Sequence, residues 1–149
     1  MDGHTYITSQ LQPEDIAHLR AKGFRILVDI RPDGEAPHQP TSSMLGTIAE
    51  NNRIDFFYIP VPHDTIPEEA VQKLQAALAT QPTEAAVLFC RSGRRAVRLF
   101  ALVEAMRPNG PARDDILQMV HDAGFSADDL KDDITRRIAG RSNSDTAKP

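Results

Sequence analysis

The stretch Ala85-Ala-Val-Leu-Phe-Cys-Arg-Ser-Gly-Arg-Arg95 decides how the chain folds. Its first five residues are uniformly apolar, as in a strand buried on both faces of a parallel sheet. Cys90 follows at once, Gly93 breaks the pattern, and from Arg94 the spacing of Val97, Leu99, Ala101, Leu102, Ala105 and Met106 is that of a largely buried helix. A loop that joins the carboxyl end of a buried strand to a helix amino terminus gathers backbone N–H groups around one centre, and those amides with the helix dipole form an anion cradle. Gly93 permits the tight curl, and arginines offer paired donors to a tetrahedral oxyanion. Cys90 is expected at the floor of the cradle, with Arg91, Ser92, Gly93 and Arg94 as its anion-binding loop.

A free thiol, with a pKa near 8.5, is only about 3% thiolate at neutral pH, and making it almost wholly anionic takes about 4 kcal/mol, of which a helix terminus supplies about 0.3–1. Amides and arginine charge around one atom can supply the remainder, and this loop offers both. Cys90 is therefore read as a nucleophile, the alternative being an inert buried cysteine, since free cysteine is among the most buried residue types.

Outward from this stretch, β-branched and apolar runs alternate with helical periodicity. Thr5–Thr8 reads as a first strand, followed by a helix opened near Pro13, with Ile16, Ala17 and Leu19 inward, and closed at Gly23. Residues 25–30 read as a second strand, 31–40 as a Pro- and Gly-rich loop, and Thr41 or Ser42 as the cap of a helix carrying Met44, Leu45, Ile48 and Ala49. Residues 54–61 read as a third strand. Thr65 and Glu68 have capping-box spacing before a helix to about Thr80. After the helix from Arg94, two more are expected over 114–123 and 126–138, the second with Ser126 and Asp129 at capping-box spacing. This order predicts an α/β fold, a mostly parallel sheet of about four strands flanked by helices, in one domain over 1–140 with a disordered tail over 141–149.

The chain has 149 residues, 40% hydrophobic and 26% charged, and no apolar run of the length that spans a bilayer. With no basic-then-apolar leader and a single cysteine, a reducing cytoplasm is the expected compartment. A net charge of −4 argues against nucleic acid or membrane as partner, so any anion site must be local. Charge is indeed uneven. From Cys90 to Arg107, Arg91, Arg94, Arg95, Arg98 and Arg107 face Glu104 alone, whereas from Asp114 to Asp133 seven aspartates face only Lys131. The acidic stretch reads equally as a solvated helix face or a dock for a basic partner. Five histidines without ligand spacing and one cysteine predict no metal and no cofactor.

Taken together, Ile7-Thr-Ser-Gln10, Asp29-Ile-Arg-Pro-Asp-Gly-Glu35, Gln39-Pro40, Tyr58-Ile-Pro-Val61, Cys90-Arg-Ser-Gly-Arg-Arg95, Asp115-Ile-Leu and Ala123-Gly124 resemble the phosphatase-like domain of the beta-lactamase hydrolase-like protein family, over roughly residues 5 to 138. That resemblance implies the fold of dual-specificity protein tyrosine phosphatases and a cytoplasmic, bacterial hydrolase of that kind. It makes Cys90 the nucleophile, Arg95 the clamp, Gly93 the loop glycine, and Asp64, 26 residues before the cysteine, the general acid. The chain departs from the phosphatase pattern in three places. Four residues separate Cys90 from Arg95 where those enzymes have five, Phe89 stands in place of their histidine, and Ala96 in place of their hydroxyl. The six-residue loop itself resembles that of rhodanese sulfurtransferases, in which the cysteine carries a persulfide; the remainder of the chain does not.

Asp64 follows Pro62-His63 in a loop, so an exposed turn residue is the plain alternative to a general acid, with His63 a weaker candidate. Arg31, Asp33 and Glu35 follow the second strand and would share the carboxyl edge of a parallel sheet with Cys90, as pocket rim or solvated turn. Two chemistries follow for a small anionic substrate. A phosphate ester would be hydrolysed through a cysteinyl-phosphate on Cys90; a sulfane-sulfur donor would leave a persulfide there, and with no second cysteine an external thiol must accept the sulfur. A non-catalytic anion binder is the third possibility.

Overall fold

The computed structural model describes residues 4–146, with side chains as far as Arg141. Four strands, β1 (Thr5–Thr8), β2 (Phe24–Asp29), β3 (Asp55–Tyr58) and β4 (Ala85–Phe89), form one sheet in the order β1-β4-β2-β3, every pairing parallel. Six α-helices accompany them among the described residues: α1 (Asp15–Ala21), α2 (Ser42–Asn51), α3 (Glu68–Ala79), α4 (Arg94–Met106), α5 (Arg113–Asp122) and α6 (Lys131–Thr146). The chain divides into two compact units, one up to Ala96 and one from Val97, the boundary falling inside α4.

The first unit holds the whole sheet. On one face Leu27, Val87 and Phe89, alternate residues of β2 and β4, pack with Leu11, Ile16, Leu45, Ala49 and Ile54. Ile26, Val28, Ala86 and Leu88, on the opposite face of the same strands, are equally buried, as a doubly covered parallel sheet requires. Gly46 lets α2 lie close to β3, since a Cβ there would stand 3.0 Å from the Phe56 ring. Thr41 caps α2, its hydroxyl accepting from the Met44 N–H at 3.1 Å, and Leu45 and Ala49 face inward while Met44 is exposed. Ala17, expected on the inner face of α1, is also exposed, because that seven-residue helix turns only Ile16 fully inward. β3 is shorter than the run 54–61, yet the ladder persists beyond it. Ile59 N–H bonds the Asp29 carbonyl at 2.8 Å and Val61 N–H the Ile30 carbonyl at 3.0 Å, which carries Val61 along the carboxyl edge of the sheet. The capping box at Thr65 does not form: Pro67, extended at φ −63° and ψ 141°, is the N-cap of α3 without a side-chain bond.

In the second unit the box expected at Ser126 is also replaced. The Asp129 carboxylate is taken by Arg98, whose Nη1 and Nη2 donate at 2.7 and 2.8 Å, and residues 128–130 form a single 3-10 turn before α6. The helix then runs through Gly140, past its expected end near Ile138 and into the stretch expected to be a tail. One interior glycine costs only about 1 kcal/mol against alanine, and Arg141 anchors the turn beyond it by donating to the carbonyls of Glu104, Arg107 and Pro111. Residues 147–149 lie outside the described residues. The acidic stretch is partly neutralised within the unit: Asp129 pairs with Arg98, and Asp133 with Arg136 and Arg137. No helix among the described residues is long and apolar enough to cross a membrane.

Candidate functional site

Parallel pairing brings the ends of β2, β3 and β4 to one edge, and the residues of the expected site lie at that edge or in the loops leaving it. Cys90 follows the last residue of β4 and is 1% exposed. The loop after it curls back so that the Gly93 N–H points at the Cys90 Sγ, 3.2 Å away. The curl needs a glycine: Gly93 has φ +97°, where L side chains are strained. The loop is also tied to the segment after β1, Gln10 N–H donating to the Arg91 carbonyl at 3.2 Å. Ser92 Oγ accepts from the Arg94 N–H at 3.3 Å, at the first residue of α4.

The four nearby arginines divide into two pairs. Arg95 is 5% exposed and held at three points: Nη1 and Nη2 each meet a Glu35 oxygen at 2.8 Å, and Nη1 also meets the Val61 carbonyl at 2.9 Å. Arg31, 6% exposed, shares the same carboxylate through Nε at 2.9 Å and reaches Gln10 Oε1 through Nη1 at 3.0 Å. Arg91 and Arg94 are exposed and make no side-chain hydrogen bond or ion pair among the described residues.

Glu35 is thus the hub, a residue that the sequence placed only on a possible rim. Its backbone is held by the Gln39 side chain at 3.1 Å, which in turn donates to the Pro32 carbonyl at 2.9 Å. Hydrogen bonds from Arg95 above all, and then from Arg31, hold the Glu35 carboxyl down at about 2 against its partial burial. His63 stands 3.4 Å from the same carboxylate, its side chain mostly exposed.

Asp33 lies apart from that hub. Its carboxylate accepts from the Ser42 N–H at 2.8 Å and hydroxyl at 2.7 Å at the start of α2, and its N–H donates to the Tyr58 hydroxyl at 2.9 Å. Asp33 therefore joins the loop after β2 to α2 and β3, which is the work of a fastener. Asp29, quoted for the resemblance but given no role by sequence reasoning, ends β2 at 2% exposure. Burial pushes its carboxyl up to about 7, against the Arg31 N–H that it accepts at 3.0 Å. Asp64 is exposed and has no hydrogen bond or ion pair among the described residues; the structure leaves it one residue beyond His63 without joining it to the cluster. No group of three or more potential metal-ligating side chains occurs among the described residues.

A thiol at the end of a central parallel strand, covered by a curled loop that opens a helix, is a site whose relatives can be sought by family as well as by shape. The family model of the phosphatase-like domain of beta-lactamase hydrolase-like proteins matches residues 3–107. The chain belongs to this family. A beta-lactamase hydrolase-like protein of Xylella fastidiosa strain Temecula1 is 33% identical over 120 residues, which is 80% of this chain and 27% of that protein. A second, from Agrobacterium fabrum, is 33% identical over 100 residues, 67% of this chain and 23% of that protein. The chain therefore spans about a quarter of the length of these relatives.

Among solved structures, a candidate phosphatase of Neisseria meningitidis superposes with a TM-score of 0.72 at 24% identity, covering 91% of this chain and 94% of that one. The core catalytic domain of the PP-IP phosphatase of S. cerevisiae, solved with citrate, gives a TM-score of 0.68 at 16% identity over 95% of this chain and 89% of that one. At these identities the likeness is one of fold, and that fold is protein tyrosine phosphatase-like.

Proposed function

We propose that the protein is a cysteine-dependent phosphatase acting on phosphomonoesters through a cysteinyl-phosphate on Cys90. The observation that carries this is the Gly93 N–H directed at a buried Cys90 sulfur from a loop that curls over the end of the central strand. The sulfur attacks phosphorus, an S–P bond forms, and the P–O bond to the leaving alkoxide or phenoxide breaks. Asp64 gives the leaving oxygen its proton, and water then cleaves the S–P bond to release phosphate and restore the thiolate. The loop of Arg91, Ser92, Gly93 and Arg94 receives the phosphoryl oxygens with backbone N–H groups. Arg95, held by Glu35 and the Val61 carbonyl, uses three of its five N–H donors in those bonds and keeps the others for a phosphoryl oxygen. All these residues lie in the first unit. The curated relatives are much longer, so the substrate of a whole protein of this family is a separate matter from the chemistry of this unit.

One observation favours a second reading. Four residues between Cys90 and Arg95, with the Arg95 fork already occupied by Glu35, suit a smaller reacting group than phosphoryl, such as the outer sulfur of a persulfide on Cys90. An external thiol would then take up the sulfur.

Hydrolysis of aryl phosphates by wild type, Cys90→Ser and Asp64→Asn separates the two. The phosphatase reading expects Cys90→Ser to be inactive, and Asp64→Asn to lose about 10²–10⁴-fold with a poor leaving group and far less with a good one. No aryl phosphate hydrolysis, with sulfur transfer from thiosulfate that is indifferent to Asp64→Asn, would replace the first reading by the second, because sulfite leaves without a proton.

A further inference from the structure

The arginines around Cys90 differ in how their charge is answered. Arg31 and Arg95 share the Glu35 carboxylate, whereas Arg91 and Arg94 are both exposed with no acidic partner among the described residues. The unanswered pair brackets Ser92 and Gly93, so both side chains leave the loop that covers the sulfur. Two guanidiniums carried three residues apart on one loop add their attraction for an anion that reaches both. A single phosphoryl group bound over Cys90 by backbone amides leaves that surplus largely unmet, since the amides already serve its oxygens.

We propose that the substrates of this site carry a second anionic group, a further phosphate in the first instance, which Arg91 and Arg94 hold beside the phosphoryl group that reacts at Cys90. The proposal rests on the phosphatase reading for its chemistry, but not for its binding geometry. Guanidinium forks suit phosphate oxygens better than a lysine ammonium does, and their exposure lets a bulky polyanion approach without displacing any protein contact. Glu35 contributes to selectivity by offsetting one of the two inner guanidinium charges, whereas no carboxylate offsets Arg91 or Arg94 among the described residues.

The test compares phenyl phosphate with benzene-1,3-diyl bisphosphate, which differ by one phosphate, for wild type and for Arg91→Gln/Arg94→Gln. Wild type is expected to prefer the bisphosphate by about tenfold or more in kcat/KM, chiefly through KM, with the preference shrinking as salt is raised. The double variant is expected to bring the ratio to about one, whatever its absolute rates. A ratio near one in wild type, or one that the double variant leaves unchanged, overturns the proposal. If neither ester is hydrolysed, the phosphatase reading fails, and protection of Cys90 from iodoacetamide by the same two compounds decides the binding claim. Protection by the bisphosphate at about tenfold lower concentration, lost in the double variant, upholds it, and equal protection, or none by either, refutes it.

Discussion

Replacing Glu35 by glutamine removes the charge at the hub while keeping nearly the same shape, and two independent lines give its cost. The fall of the Glu35 carboxyl from 4.5 to about 2 is equivalent to about 3 kcal/mol of folding stability at neutral pH. Removing one partner of a buried ion pair costs about 3–5 kcal/mol, and Arg95, at 5% exposure, would be left as the uncompensated charge. Glutamine keeps one acceptor oxygen for three former donors and turns an NH₂ toward the guanidinium, which places the variant near the lower figure. Because the folded-state value is depressed, this stability is fully present above the unfolded value of 4.5 and is lost as the pH falls toward 2. Urea unfolding of Glu35→Gln should therefore show a midpoint about 1–3 M below wild type at pH 7, narrowing to a small difference near pH 2. A midpoint within about 0.3 M of wild type at pH 7, or a gap that stays constant down to pH 3, would refute the claim that this carboxylate holds the arginine pair together.

Other substitutions read other parts of the site. Asp29→Asn keeps the acceptor for the Arg31 N–H and removes a carboxyl that burial raises from 3.8 to about 7, so the wild-type fold loses stability as the pH climbs through that interval; the variant should be about 2–4 kcal/mol more stable at pH 8 and nearly equal at pH 4 by urea unfolding, and parallel pH profiles would contradict this. Arg95→Lys should lower aryl phosphate turnover by more than about tenfold, since lysine cannot reproduce the fork on Glu35 and the bond to Val61, whereas Arg98→Lys, which disturbs only the Asp129 and Ser126 contacts of the second unit, should stay within about threefold; equal losses would mean that bulk positive charge matters rather than a placed guanidinium.

Much of the first unit was legible because its signals are local. β1 and β4 have the bounds read from their β-branched and apolar runs, and α4 begins just after Gly93 and ends at Met106, the last residue of the helical spacing. The curl over Cys90 was legible too, since cysteine, glycine and helix start are adjacent in sequence. The Glu35–Arg95 contact was not, as its partners are 60 residues apart and only the parallel register of β2 beside β4 brings them together. The burial of Asp29 was not legible for a related reason: an aspartate near a strand end shows its depth only once the sheet order places β2 between β4 and β3. Neither expected capping box formed: Pro67, inside the first box, is itself the N-cap, and Arg98, 31 residues away, claims the Asp129 carboxylate of the second. Spacing alone cannot reveal a competitor such as Arg98 that arrives from elsewhere in the chain.

The covalent state of Cys90 during turnover is the most direct test of the proposed chemistry. Acid-quenched protein, mixed with an aryl phosphate and analysed by peptide mass spectrometry, should carry about 80 Da on the peptide containing Cys90, and the adduct should accumulate when hydrolysis is slowed and be absent from Cys90→Ala. An unmodified cysteine under those conditions, with about 32 Da gained instead from thiosulfate and removed by dithiothreitol, would contradict the phosphatase account and establish Cys90 as a carrier of sulfur.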